Sequence, residues 1–165
     1  MDIGRWLRHL LAPQWWVLRA FDRATLDAIE HAVGASESRH HGELRFVVEG
    51  GLPVAHLWRR ATPRERALEL FSALRVWDTA ENSGILIYVQ MADRSVEIVA
   101  DRGIAALVRH DEWERICRTM EQAFRGRDFR GGALAAIDAA SAILTQHLPA
   151  ETANPDELPD RPLVV

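Results

Sequence analysis

Two stretches of the chain gather the side chains best suited to chemistry. The loop VWDTAENSG, residues 76–84, carries Asp78, Glu81 and Asn82, and the stretch ADRG, residues 100–103, carries Asp101 and Arg102. Carboxylate and amide oxygens are the hard donors that Ca²⁺ or Mg²⁺ takes, although the fixed spacing of an EF-hand loop is absent. A metal held by Asp78, Glu81, Asn82 and Asp101 would polarise a phosphoryl oxygen and ready a water for attack. A plainer reading competes: Asp78 and Asn82 are turn and cap residues that hydrogen-bond their own backbone. A second Ala-Asp-Arg triplet, residues 92–94, sets Asp93 and Arg94 just before an alternating run. Along an extended strand at ~3.3 Å per residue, Asp93 and Asp101 stand on the order of 25 Å apart, so they cannot share one site. Asp93 and Arg94 read first as a hairpin turn. They also fall where parallel strands should finish, the end at which open α/β sheets usually bind ligands.

Other candidates carry less. His40 and His41 precede an apolar run and His110 with Asp111 starts a helical one, but no H-E-x-x-H pairing occurs, so they read as solvated or capping histidines. Ser83 sits in Asn-Ser-Gly rather than in a G-x-S-x-G nucleophile elbow, and Gly131 and Gly132 lack a phosphate-cradling spacing. The single cysteine, Cys117, excludes an internal disulfide and a cysteine-rich metal site; its helical context suits a buried spectator thiol. All 20 basic residues are arginine, which removes Schiff-base and P-loop lysine chemistry. A net charge of −4 gives no basic footprint for phosphate backbones, so nucleic acid is not an expected partner.

The elements that must position these residues follow from periodicity. TLDAIEHAVGASESR, with Thr25 as its expected N-cap, places Leu26, Ile29 and Val33 on one helical stripe. ELRFVVEG, ending at Gly50 and Gly51, reads as the first strand. TPRERALELFSALRV opens with Thr62 as N-cap, Pro63 at the first helical position and Glu65 three residues after the cap, a capping box, with Leu68, Phe71 and Leu74 as its expected apolar stripe. ILIYVQMA is apolar at nearly every position, as a strand covered on both faces would be. SVEIVAD alternates like a half-exposed edge strand and pairs back as a hairpin. DEWERICRTMEQAF and GGALAAIDAASAILTQHL close the domain as helices with apolar stripes at Trp113, Ile116 and Met120, and at Leu134, Ile137, Ser141, Leu144 and Leu148. Strand, helix and strand make a right-handed crossover. The expected fold is α/β, a three-layer αβα sandwich around a small mixed sheet: two parallel strands from the βαβ crossover plus an antiparallel hairpin strand.

Three regions follow: a Trp/Arg-rich N-terminal segment over 1–22, the α/β domain over 23–148, and an acidic, proline-bearing tail over 149–165 read as disordered. In the first, Trp6, Trp15 and Trp16 alternate with arginines and Pro13 splits the segment in two. Such a segment either covers the domain's own core or contacts a membrane surface or a protein partner. No apolar run approaches the ~20 residues of a membrane span and the start lacks a signal-peptide h-region, so the expectation is a cytoplasmic protein, peripheral at most to the inner membrane.

From about residue 26 to residue 148 the chain resembles the TPM domain family, which includes thylakoid-lumen acid-phosphatase-like proteins and many bacterial proteins. The resemblance rests on ELRFVVEG, a helix ending in LRVW, the block NSGILIYVQMADRSVEIVADRG and the later AFRGRDFRGGALAAI. The matching positions are Trp77, Asn82, Gly84, Asp93, Arg94 and Gly103. The resemblance implies an αβα sandwich, divalent cations in loops at one end of the sheet, and the phosphatase activity claimed for plant members. Where the family often has glycine, any residue, glycine, leucine and glutamate, this chain has Asp101 to Ala105, so Ala105 takes the place of the glutamate and Asp101 is the acid left there. Two functions are therefore expected as alternatives: a non-enzymatic binding or assembly module, associated with a membrane surface or a membrane-bound partner, and a divalent-metal-dependent phosphatase.

Overall fold

The computed structural model describes residues 3–150 and 157–165. In chain order the elements are α1 (Ile3–Leu10), α2 (Gln14–Ala20), α3 (Arg23–Glu37), β1 (Glu43–Glu49), α4 (Val54–Trp58), α5 (Pro63–Ala73), β2 (Gly84–Gln90), β3 (Ser95–Ala100), α6 (Arg102–Ala105), α7 (His110–Arg125), α8 (Phe129–His147) and β4 (Leu163–Val164). The sheet runs β3-β2-β1-β4. β1 and β2 are parallel, in register from Glu43 opposite Gly84 to Glu49 opposite Gln90. β2 and β3 form the expected antiparallel hairpin, from Ile85 opposite Ala100 to Gln90 opposite Ser95. Asp93 and Asp101 therefore lie at opposite ends of the sheet.

Both faces of the sheet are covered, which is why β1 and β2 read as continuous apolar runs. On one face Phe46, Val48, Ile87 and Val89 meet Ile29 and Val33 of α3, Met120 of α7 and Ile137 of α8. On the other, Val47, Leu86, Tyr88 and Val99 meet Ala67 and Leu70 of α5. Each fully buried Leu, Ile or Phe in these layers contributes roughly 2–3 kcal/mol of transfer free energy. The three-layer sandwich with a mixed sheet is the fold the sequence implied.

Several local expectations change. The capping box of α5 forms as read, but Leu68 points to solvent and Ala67 and Leu70 face the sheet instead. α3 begins three residues early: the N-cap is Asp22, whose carboxylate accepts the Thr25 N–H at 2.8 Å, and Thr25 is buried inside the first turn. His40 is not solvated. It is fully buried beneath α8 with its Nε2 3.1 Å from Ser141 Oγ. Part of the acidic tail is ordered structure: Leu163 and Val164 pair parallel with Val47 and Val48 as a fourth strand, and Leu158 is buried beside α5. Its anchors are side chains of β1, since Arg45 Nη1 donates to the carbonyls of Pro159 and Arg161, at 2.5 and 2.6 Å, and Glu43 Oε2 accepts the Leu158 N–H at 3.1 Å. Residues 151–156 lie outside the described residues.

Candidate functional site: two sheet ends and an exposed N-terminal face

At the end where β1 and β2 begin, the loop before β2 meets the residues leaving β3. Asn82 has φ 51°, a left-handed conformation that asparagine tolerates better than most residues. Its Oδ1 accepts from Arg102 Nε at 3.0 Å, and its carbonyl accepts the Gly103 N–H at 3.0 Å. A Cβ on Gly103 would stand 2.5 Å from the Asn82 carbonyl oxygen and 2.6 Å from that of Glu81, so only glycine fits. Asp101 caps α6, its Oδ1 accepting the Arg102 N–H at 2.7 Å, while its Oδ2 is buried without a hydrogen-bond partner among the described residues. Ser83 Oγ donates to the His41 carbonyl at 2.9 Å, a structural use of the hydroxyl. The Ala80 N–H reaches the Glu157 carboxylate at 3.1 Å, a contact with the ordered tail that the sequence did not suggest. Asn82, Asp101 and Arg102 are thus joined, whereas Asp78 and Glu81 are exposed on the loop. Among the described residues no three His, Cys, Asp or Glu side chains converge as a metal-ligand group.

The opposite end holds Asp93 and Arg94. The turn is closed by Gln90, whose Oε1 accepts the N–H groups of Ala92 at 2.8 Å and Asp93 at 3.3 Å, with Arg94 at φ 55°. Asp93 is more than a turn residue. Its carboxylate takes the Arg5 guanidinium through Nη2 at 2.8 Å and Nε at 3.1 Å, and its Oδ1 stands 3.0 Å from His9 Nε2. His9 Nδ1 accepts the Leu52 N–H at 2.9 Å, so the neutral ring carries its proton on Nε2, facing Asp93. Arg5 Nη2 also donates to the Ala61 carbonyl at 2.7 Å. Burial works against the charged form of Asp93, but the hydrogen bonds from Arg5 and His9 outweigh it and hold the carboxyl below the usual range. A Cβ on Gly51 would lie 2.4 Å from the His9 carbonyl oxygen, so the close crossing of α1 over the end of β1 requires a residue without one.

Glu49, at the end of β1, is buried and fully committed. Tyr88 donates its hydroxyl to Glu49 Oε2 at 2.5 Å and Arg66 forks the same carboxylate through Nη2 at 2.8 Å and Nε at 3.1 Å. Burial first, and then the Glu49 charge, push the Tyr88 phenol well above its ordinary range. Arg66 is continuous with Glu69, which binds His56 and also Arg59 at 2.9 Å, so α4 and α5 are stitched to β1. None of these partners was evident from sequence, because the contacts span 10 or more positions except within α5.

The N-terminal helices form an outer surface. Arg5 and His9 of α1 point inward to Asp93, so Ile3, Leu7, Leu10 and Leu11 face solvent, with Leu11 72% exposed. Trp15, 64% exposed, and Leu18 of α2 and Trp58 of α4 add to the exposed apolar set. Trp6 packs edge-on against Trp58 with ring centroids 5.1 Å apart, whereas Trp16 leans on the core. One helix therefore presents polar groups to the fold and apolar groups to the outside.

The comparisons with known proteins agree with this architecture. No curated protein matches the sequence. The structure is similar to the NMR structure of BA42 protein from the psychrophilic bacterium Bizionia argentinensis, with a TM-score of 0.75 and 26% sequence identity over 86% of this chain and 93% of that one. The family model described as TPM domain matches residues 18–143. With that match spanning most of the chain and the BA42 structure sharing its fold, the chain belongs to the TPM domain family.

Proposed function

We propose that this TPM domain is a non-enzymatic binding module that seats on a membrane surface through α1 and α2. The observation that carries the reading is the inverted amphipathicity of α1: Arg5 and His9 are consumed by Asp93, and Ile3, Leu7 and Leu10, with Leu11 just beyond the helix, are left outward. An apolar helical face with tryptophan and flanking arginines, here Trp15, Arg8 and Arg19, suits the headgroup boundary of a bilayer. Among the described residues no helix is long and apolar enough to cross a membrane, so the association would be peripheral. The non-enzymatic part is supported by the commitment of Asp93 and Glu49 to buried structural pairs. The test is vesicle co-sedimentation of the full chain and of a Leu7→Asp/Leu11→Asp variant, two exposed positions whose change leaves the core intact. Pelleting of the native chain with phosphatidylcholine–phosphatidylglycerol vesicles, reduced at least tenfold in the variant, is the expected outcome. Negligible pelleting of both chains removes the membrane surface and leaves a protein partner for the stripe.

A second reading, a divalent-metal-dependent phosphatase, is favoured by one observation: Asp101 Oδ2 is buried beside the Asn82 loop with no hydrogen-bond partner among the described residues. Asp101 and Asn82 would then hold Ca²⁺ or Mg²⁺, with Asp78 and Glu81 on the same loop, and the ion would supply Lewis acidity toward a phosphoryl oxygen. Calcium and magnesium titrations followed by amide NMR shifts decide it. Saturable shifts confined to residues 78–84 and 101–103, lost in Asp101→Asn, support the metal; flat titrations of the native chain dismiss it.

A further inference from the structure

A cleft of about 870 Å³ opens where β2 runs out, between α2, the hairpin turn and the corner joining α7 to α8. Its apolar lining includes Trp15 and Trp16 of α2 and Phe124 and Phe129 at the corner joining α7 to α8. The two phenylalanine rings lie tilted with centroids 5.1 Å apart and both contact buried Phe21, at 5.7 and 5.6 Å, which ties this part of the lining to the core. The same cleft is bordered by five arginines, Arg19, Arg94, Arg125, Arg127 and Arg130, against two carboxylates, Glu121 and Asp128, a local net of +3 in a chain whose net charge is −4.

Both carboxylates are already engaged. Glu121 Oε1 accepts the Val96 N–H at 3.0 Å and its Oε2 pairs with Arg125 at 3.7 Å; Asp128 Oδ1 accepts the Gly131 N–H at 2.8 Å as the cap of α8. Arg130 feels the charge of Asp22. Arg19, Arg94 and Arg127 are left without a carboxylate partner among the described residues. Two of these three, Arg94 and Arg127, hold left-handed backbone, at φ 55° and 64°, a conformation in which glycine costs less than arginine.

One carboxylate would satisfy one guanidinium. A phosphate monoester dianion offers oxygens to several forks at once, and an attached apolar or aromatic body would fill the space lined by Trp15, Trp16 and the two phenylalanines. We propose that this cleft is a binding site for an organic phosphate, its phosphoryl group held by Arg19, Arg94 and Arg127 and its body stacked on the α2 tryptophans. The ligand could be a free phosphorylated small molecule or the headgroup of a phosphate-monoester lipid, since Trp15 belongs both to the cleft and to the exposed apolar face. The site does not depend on membrane seating by α1.

The experiment titrates the full chain with phenyl phosphate, inorganic phosphate and phenylacetate by amide and indole NMR, and with phosphatidylcholine vesicles carrying either phosphatidic acid or phosphatidylserine at matched charge. The variants are Arg94→Gly/Arg127→Gly, which relieves the backbone while removing two cations, and Arg23→Gln/Arg39→Gln, which removes two exposed cations elsewhere. Saturable shifts at Trp15, Trp16 and residues 124–130 are expected with phenyl phosphate, at least tenfold tighter than with inorganic phosphate or phenylacetate. Binding should weaken at least tenfold in the glycine variant, whose Tm is equal or higher, and hold in the glutamine variant. Arginine-dependent selectivity for phosphatidic acid without a response to phenyl phosphate assigns the site to the lipid and also supports it. No saturable response to any phosphate, or equal losses in both variants, overturns the proposal. Loss of pelleting in Leu7→Asp/Leu11→Asp with phenyl phosphate binding intact separates this site from the membrane face.

Discussion

His40 and Asp93 show how far a single residue type can mislead. Both looked like surface punctuation, one before a strand and one in a turn, and both are structural partners that contact residues far away in sequence. Burial is the first cause of the low pKa of His40, about 4 against an ordinary 6.5. Between those values the unfolded chain takes up a proton that the folded chain refuses, so stability is fully present above pH 6.5 and falls as the pH drops toward 4. At ~1.4 kcal/mol per unit, and with an allowance for residual hydration, the loss amounts to about 2 kcal/mol. Urea titrations from pH 7 to pH 4 should show that slope in the native chain and a flatter one in His40→Asn; equal slopes would remove His40 as its source. What the sequence did make legible at this scale was separation. Asp93 and Asp101 were placed at different ends of a strand by its length alone, and the register of β2 on β3 agrees. The partners Arg5 and His9 were not legible, because spacing within a helix reveals a polar face but not what that face meets.

Among the elements, those specified by local chemistry were readable and those specified by tertiary contact were not. The capping box of α5 is written in Thr62, Pro63 and Glu65 and forms as written. The orientation of the same helix was misjudged at Leu68, since Ala67 and Leu70 also fit an apolar stripe and only the sheet decides between them. β4 has two paired residues and no pattern of its own; it exists because Val47 and Val48 offer an open edge and Arg45 holds the approaching chain. α1 is the sharper case. Its hold on the fold rests on the Asp93 carboxylate, so Asp93→Asn should loosen this helix in particular. Removing one partner of a mostly buried, forked pair costs about 2–3 kcal/mol. Amide exchange should accelerate over residues 3–10 while protection in β1 and β2 persists. Uniform acceleration over the whole chain would mean instead that Asp93 supports the global fold. The native chain should show a related loosening in acid: with its pKa depressed, Asp93 contributes fully above about pH 4 and loses that contribution as the pH falls through its lower folded value.

At the scale of the whole molecule, the mixed sheet separates three chemical environments. One end carries the Asn82–Asp101–Arg102 cluster, the other carries buried ion pairs and the arginine-bordered cleft, and beyond that end α1 and α2 turn apolar residues outward. The fold was legible because the order of strands and helices admits few topologies. The outward face was only half legible: the Trp/Arg composition of residues 1–22 fits a segment that covers the core as well as one that meets a surface, and only the Arg5–Asp93 pair shows which side of α1 is free. If that side is the docking face, the molecule meets a bilayer in a single orientation, with the Glu81 loop pointing away. Depth measurement by nitroxide labels tests this most directly, using Leu11→Cys and Glu81→Cys separately in a Cys117→Ala background. On addition of phosphatidylcholine–phosphatidylglycerol vesicles, the label at 11 should gain oxygen accessibility and lose access to a polar nickel relaxant, while the label at 81 stays unchanged. Identical accessibility at both labels with and without vesicles would contradict the proposed membrane seating.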